Sequence, residues 1–277
     1  MADDNVFYVE NADEAMNWAM EKARLTMGYF LSSLEAPASY QQSFSLKAKF
    51  IDGDEVEHIW LSEVSSDGDG LFYGTISNDP QHVTNVKMGS KVGVTEENVS
   101  DWMVIENGRL IGGYTIRAYR DQMSPAQQED FDQSLGLLVD DGVDYFPHDF
   151  ETPEGAILSM EDAFSRGDLD AAVACKDFLR EARHMFGRLP DFPIDEEIIQ
   201  KTAETLEMSF RAYFEENEMP DFEGVERAFT AREFEDDWTV MVTEVCKLPG
   251  GQRTMDKIWV YKVGQEWRVG PPANEDP

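Results

Sequence analysis

Residues 99–121 read VSDWMVIENGRLIGGYTIRAYRD, and the reading of this stretch decides the fold. Asn107-Gly108 is a strong hairpin signal, because the favoured two-residue turn needs positive φ at both central positions. The flanks, DWMVIE and RLIGGYTI, are apolar enough to form its strands. Neighbouring side chains on a strand point to opposite faces, so Trp102 and Met103 must divide. One enters the core, and the other faces outward or meets a packed helix. Asp101 and Arg109 are expected to pair across the strands, and Gly112-Gly113 permits positive φ or close backbone approach. Arg117 and Arg120 follow at helical spacing, and an arginine fork suits a carboxylate. Two readings stay open. In one, Trp102 is core and Asp101 with Arg109 braces the hairpin. In the other, Trp60, Trp102, Tyr114 and Arg117, with Asp101 and Arg109 alongside, make a binding face, since Trp, Tyr and Arg are enriched among interface anchors. A catalytic reading finds no nucleophile with an assisting base.

Working outward, Phe44, Leu46, Ala48 and Phe50 alternate with polar positions as on a half-buried strand. Asp52-Gly53 turns it into VEHIWL, and LFYGTIS and VKMGSKVGV supply further strands. Ahead of them, Met16, Met20, Ala23, Met27, Phe30 and Leu34 recur at helical spacing, predicting one helix over 12–34 capped by Asn11 with Glu14. Behind them, Ser124-Pro125 with Gln127 opens a helix to about Leu138. The first half therefore reads as a helix, a five- or six-stranded antiparallel sheet and a closing helix. The acidic, turn-rich stretch 139–153 marks a boundary, giving domains 1–140 and 153–277 with a linker over 141–152. In the second domain Thr152-Pro153, Asp168 and Asp195 start three helices. Four strand-like runs follow, VERAFTAREF, WTVMVTEVCKL, MDKIWVYKV and EWRVGP. Helices followed by an antiparallel sheet make this an α+β chain of two domains, each a sheet packed against helices, without βαβ alternation.

The formal charge is −33 over 277 residues, with 9 basic and 27 acidic side chains in residues 1–150 and 14 and 29 in the rest. Such an exterior repels phosphate backbones, so nucleic acid is excluded as a partner. It favours a basic protein partner, unless the acidity is merely the background of the proteome. No run of about 18 apolar residues exists and the start is acidic, which predicts neither a membrane span nor a cleaved secretory signal. Cys175 and Cys246 fit a reducing cytoplasm as buried thiols. The four histidines are scattered, so no metal site is expected, and nothing implies a cofactor. Asp52, Asp54 and Glu63 fall at calcium-loop spacing, but Val56 and Glu57 break that pattern and a hairpin turn explains the stretch. GxxxxGK[ST], GxGxxG and GxSxG motifs are all missing.

The first half resembles the bacterial YegJ-type domain family from the Met16–Leu34 helix to about Asp121. The likeness is carried by FSLKAKFIDGDEVEHIWL, GDGLFYGTISNDP and VSDWMVIENGRLIGGYTIR. It implies a fold and no agreed activity; related domains among toxin-immunity proteins would suit an acidic binder. The second half is similar, at the level of pattern, to the NTF2-like (SnoaL-like) superfamily in TPEGAILSMEDAFSRGDLDAA and KIWVYKVGQEWRVGPP. That resemblance implies a cone with a pocket, whose walls would be Tyr213, Trp238, Met241, Trp259 and Trp267. The function expected is a non-enzymatic cytoplasmic binding protein, of the immunity type, for a basic toxin. The alternative is a small molecule bound or transformed in the second domain's pocket.

Overall fold

The computed structural model describes residues 4–187 and 195–272, which fall into two compact units, Met1–Tyr145 and Phe146–Pro277. The first begins with helices α1 (Asp4–Leu25) and α2 (Met27–Glu35). Where the apolar spacing predicts one helix capped at Asn11, the chain is already helical from Asp4 and breaks at Thr26. Thr26 turns its hydroxyl back to the Lys22 carbonyl at 2.7 Å, the local bond by which threonine competes with a helix ladder.

Six strands follow: β1 (Gln41–Asp52), β2 (Glu55–Ser66), β3 (Leu71–Ile76), β4 (Lys91–Thr95), β5 (Val99–Glu106) and β6 (Arg109–Gly112). They form one antiparallel sheet in the order β4-β3-β2-β1-β5-β6. Leu46, Ala48, Ile59, Leu61, Phe72, Trp102 and Val104 meet Ala23, Met27 and Phe30 in the main core. The opposite face of the β5–β6 end is covered too: Ile105 and Leu110 pack with Val139, Met103, Ile116 and Leu135. Helices α3 (Tyr114–Asp121) and α4 (Pro125–Leu135) lie in this part of the chain, α4 opening with the expected capping box of Ser124 and Gln127. Trp102 and Met103 thus divide between two packed layers, as the strand period requires.

The hairpin registers Glu106 opposite Arg109 and Met103 opposite Gly112, so Arg109 is far along the ladder from Asp101. The expected Asp101–Arg109 brace does not form; Arg109 pairs with Asp140 at 2.9 Å. The strand also ends earlier than the run RLIGGYTI suggests. Gly112 and Gly113 both take positive φ (67° and 60°), and the chain turns straight into α3. A Cβ on Gly112 would stand 2.4 Å from the Trp102 carbonyl oxygen and 2.6 Å from its ring, so glycine is required there.

The stretch expected as a linker is packed. Asp144 pairs with Lys22 at 2.7 Å and Tyr145 stacks on Tyr29 in the first unit. In the second, Phe146 meets Phe229 edge to face, and the Phe150 carbonyl accepts from the Trp267 N–H.

The second unit comprises α5 (Pro153–Ser165), α6 (Leu169–Ala174), α7 (Phe178–Gly187) and α8 (Glu196–Glu216), then β7 (Glu226–Asp236), β8 (Thr239–Lys247), β9 (Arg253–Val263) and β10 (Glu266–Pro272). Thr152, Asp168 and Asp195 cap α5, α6 and α8 with their side chains, as their positions predict. The single helix expected after Asp168 is instead two. Around Cys175–Lys176 the backbone bonds laterally to β10, the Cys175 carbonyl accepting from the Val269 N–H at 2.8 Å. The four strands form an antiparallel meander, β10-β9-β8-β7. Both cysteines are buried and free.

Candidate functional site

In the first unit, the signature residues converge in the interior. Trp102 is fully buried; its indole N–H donates to the Ala23 carbonyl at 2.9 Å, and Tyr114 meets its ring edge-on at 5.7 Å. Asp101 is equally buried and caps α3. Its carboxylate accepts from the Thr115 hydroxyl (2.6 Å), the Thr115 N–H (2.8 Å) and the Tyr114 N–H (3.2 Å). Burial nevertheless lifts the Asp101 carboxyl to about 6, outweighing these bonds and nearby Lys47. The Arg117 guanidinium donates to the Leu110 carbonyl at 2.6 Å and to the Asp140 carbonyl, and burial draws its pKa down. Of the anticipated binding face, therefore, Asp101, Trp102, Tyr114 and Arg117 are interior and Arg109 is tied to Asp140. These residues build a core and do not share an exposed surface. The reason is that Trp102 faces the layer of α1 and α2, and the turn at Gly112-Gly113 sets the start of α3 against both the Trp102 ring and the Asp101 carboxylate.

A pH dependence follows. A carboxyl whose folded pKa is raised adds stability below its unfolded value, near 4, and loses it as pH rises through its folded value, about 6. The stability difference between wild type and Asp101→Asn is expected to shrink across that window, by at most about 1.4 kcal/mol per pH unit. Urea unfolding at several pH values reads it; a difference that does not change with pH contradicts the assignment.

Trp60 has a different setting. It is half-buried on the outward side of the β1–β2 hairpin, opposite Lys47 in the ladder. Lys47 Nζ lies 5.7 Å from the Trp60 ring centroid and donates to Thr115 Oγ1 at 3.1 Å. Burial lowers the Lys47 ammonium pKa, against the pull of Asp101. The next pair outward is Lys49 with His58, whose pKa is pushed down by burial and by both lysines, so the ring is neutral at pH 7.

In the second unit, the five residues expected around a pocket do not converge. Tyr213 on α8 is 59% exposed and Trp238 at the β7–β8 turn is 48% exposed. Met241 pairs with Trp259, whereas Trp267 pairs with Lys262. Positions 259 and 262 are an odd number apart on β9, so Trp259 and Trp267 occupy opposite faces of the sheet. His184 packs edge-on against Trp259 at 4.7 Å and bonds the Tyr261 hydroxyl at 2.8 Å.

The interior of this unit holds a charged network that pattern reasoning passed over. Glu154 and Glu161 are seven residues apart on α5 and reach two arginines of β7. Arg232 grips Glu154 with bonds of 2.7 and 2.5 Å, and an Arg227 nitrogen stands 2.5 Å from Glu161. The latter contact is close but poorly aligned for a hydrogen bond, so we read it as chiefly electrostatic. Glu244 is buried nearby and accepts the Cys246 thiol at 2.6 Å. Burial raises the carboxyl pKa values of Glu161 and Glu244, with Glu244 adding to the effect on Glu161. Burial and Glu244 hold the Cys246 thiol protonated, so the sulfur is no activated nucleophile. The signal in the sequence was two glutamates at a helical interval within the apolar run EGAILSMEDAF.

Residues 13–139 match a family described as an uncharacterized protein conserved in bacteria (DUF2314). A Neisseria meningitidis serogroup B protein named "Putative ankyrin repeat protein" is 31% identical over 200 residues, 69% of this chain and 74% of that one. The chain belongs to the DUF2314 family. The uncharacterized protein YegJ of Escherichia coli K12 is 37% identical over 103 residues, covering 37% of this chain and 65% of YegJ. No solved structure matches. Every residue of the signature, from Asp101 to Arg117, lies inside the DUF2314 match, as does the β1–β2 hairpin. The Neisseria alignment is longer than that match, so likeness continues outside it. Among the described residues of this DUF2314 protein, no group of His, Cys, Asp and Glu is arranged to hold a metal, and no helix is long and apolar enough to cross a membrane.

Proposed function

We propose that this DUF2314 protein is a non-enzymatic cytoplasmic binding protein whose anionic exterior steers it onto a basic protein partner, as an immunity protein meets a basic toxin. The observation that carries the reading is how charge is distributed. Lys22, Arg117, Lys176, Arg227 and Arg232 have largely buried side chains, while Glu196, Glu197, Glu204, Glu215 and Glu216 of α8 stand exposed. Long-range attraction then favours cationic surfaces and accelerates encounter. Capture of partners by the full chain from its own cell extract is the test. A basic protein, released as salt is raised, is the expected result; a partner that is acidic or salt-indifferent overturns the reading.

The buried group in the second unit supports a second reading, a small molecule taken by an NTF2-type cone. Glu244 Oε2 and Arg227 Nε have no hydrogen-bond partner although both are buried, which is unusual for such atoms. A metabolite mixture that raises the melting temperature of wild type but not of Glu244→Gln favours it. No shift with either protein removes it.

A further inference from the structure

The outward face of the β1–β2 hairpin has a chemistry opposite to that of the chain as a whole. Cross-strand pairing sets three rows on it: Lys47 with Trp60, Lys49 with His58, and Ile51 with Val56. Directly paired side chains in an antiparallel ladder share a face, so the six form one block. None is a carboxylate, although 56 of the 277 residues are acidic. Ile51 is 54% and Val56 46% exposed, and Lys49 is exposed with no ion pair among the described residues. The Nδ1 atom of His58 is buried without a hydrogen-bond partner.

Asp54 and Glu55 stand exposed at the turn of this hairpin, next to the Ile51–Val56 end of the block, whereas four other acids around it are held elsewhere. Glu57 accepts from the N–H groups of Gln81, His82 and Val83, and Asp52 from the N–H and hydroxyl of Thr84. Glu63 accepts the Thr75 hydroxyl at 2.9 Å, and Asp101 is saturated under α3. The Lys49 charge is thus left facing solvent, with the partly buried Lys47 behind it on Thr115 and Trp60, beside two exposed β-branched side chains. An aromatic, cations and exposed aliphatic groups in one patch are the composition of an interface core with a charged rim.

We propose that this face docks an acidic segment of a partner protein that carries a large apolar side chain. The carboxylates would meet Lys49, with Lys47 adding its charge from behind, and the apolar side chain would cover Trp60, Ile51 and Val56. The occupant is chosen by charge complementarity. A strongly anionic partner is otherwise repelled by this chain, so the cationic patch fixes where such a segment can land. This surface is independent of the acidic exterior invoked above, which attracts the opposite charge.

The probe is a fluorescent peptide alternating glutamate with leucine and phenylalanine, titrated by anisotropy at low ionic strength. A peptide with lysine in place of glutamate, an oligothymidylate and the unlabelled protein itself are compared with it. Saturable binding of the acidic peptide is expected, weakened at least tenfold by Lys49→Glu and unaffected by the same charge reversal at Lys201, an exposed lysine of α8. Both are surface changes, and circular dichroism verifies that each variant folds. Ile51→Asp, at the exposed end of the block, should lose as much. Four results overturn the proposal: no binding to wild type, equal binding to Lys49→Glu, tighter binding of the oligothymidylate, or concentration-dependent self-association that Lys49→Glu abolishes.

Discussion

Replacing Trp102 by alanine is expected to lower the stability of the first unit by about 3–5 kcal/mol, the usual cost of truncating a buried tryptophan. Three contributions converge on this residue. Its ring contacts Phe30 and Tyr114, its indole N–H is the donor to the Ala23 carbonyl, and its ring fills the space directly against Gly112. Trp102→Phe should fall between, retaining an aromatic ring but losing the hydrogen bond. Denaturant unfolding, with hydrogen exchange reporting amides of residues 41–112, measures both. A Trp102→Ala protein that unfolds like wild type yet loses its partner would restore the surface role that burial rules against.

The other large effect lies in the second unit. Arg227→Met removes the cation between the buried carboxyls of Glu161 and Glu244, and breaking a buried pair by removing one partner typically costs about 3–5 kcal/mol. The sign with pH is fixed by direction alone. Both carboxyls already have raised pKa values in the folded protein, so their protonated forms favour folding at low pH and that advantage is lost as pH rises through the folded values. Without the guanidinium those values rise further. The gap between wild type and Arg227→Met should therefore be small in mild acid and widen toward alkaline pH. Thermal unfolding across that range checks it, and a gap that narrows with rising pH would mean Arg227 does not serve these carboxyls.

Local signals in the sequence carried far. Asn107-Gly108, the Ser124 capping box and the caps at Thr152, Asp168 and Asp195 each depend on residues within a few positions, and each is where the spacing predicts it. The α+β architecture with two antiparallel sheets follows from the same short-range periods. What escaped depends on register and long-range partners. Asp101 and Arg109 both flank the turn, which suggests a pair, but counting from Asn107-Gly108 puts Glu106 opposite Arg109. Counting from Gly264 likewise puts Trp267 opposite Lys262 and separates it from Trp259, so that division was legible in principle. The pairing of Glu154 and Glu161 with Arg232 and Arg227 was not, because nothing local links a helix to a strand about 70 residues later. Nor could composition show that the most distinctive motif faces inward, since tryptophan and arginine serve cores and interfaces alike.

The most direct measurement is the rate at which a partner recovered by the proposed capture associates with the full chain as ionic strength is varied. Electrostatic capture by an anionic surface predicts a rate that falls steeply from low to physiological salt, while dissociation changes little. An association rate that stays flat over that range, with the complex still forming, would show that charge does not bring the two together.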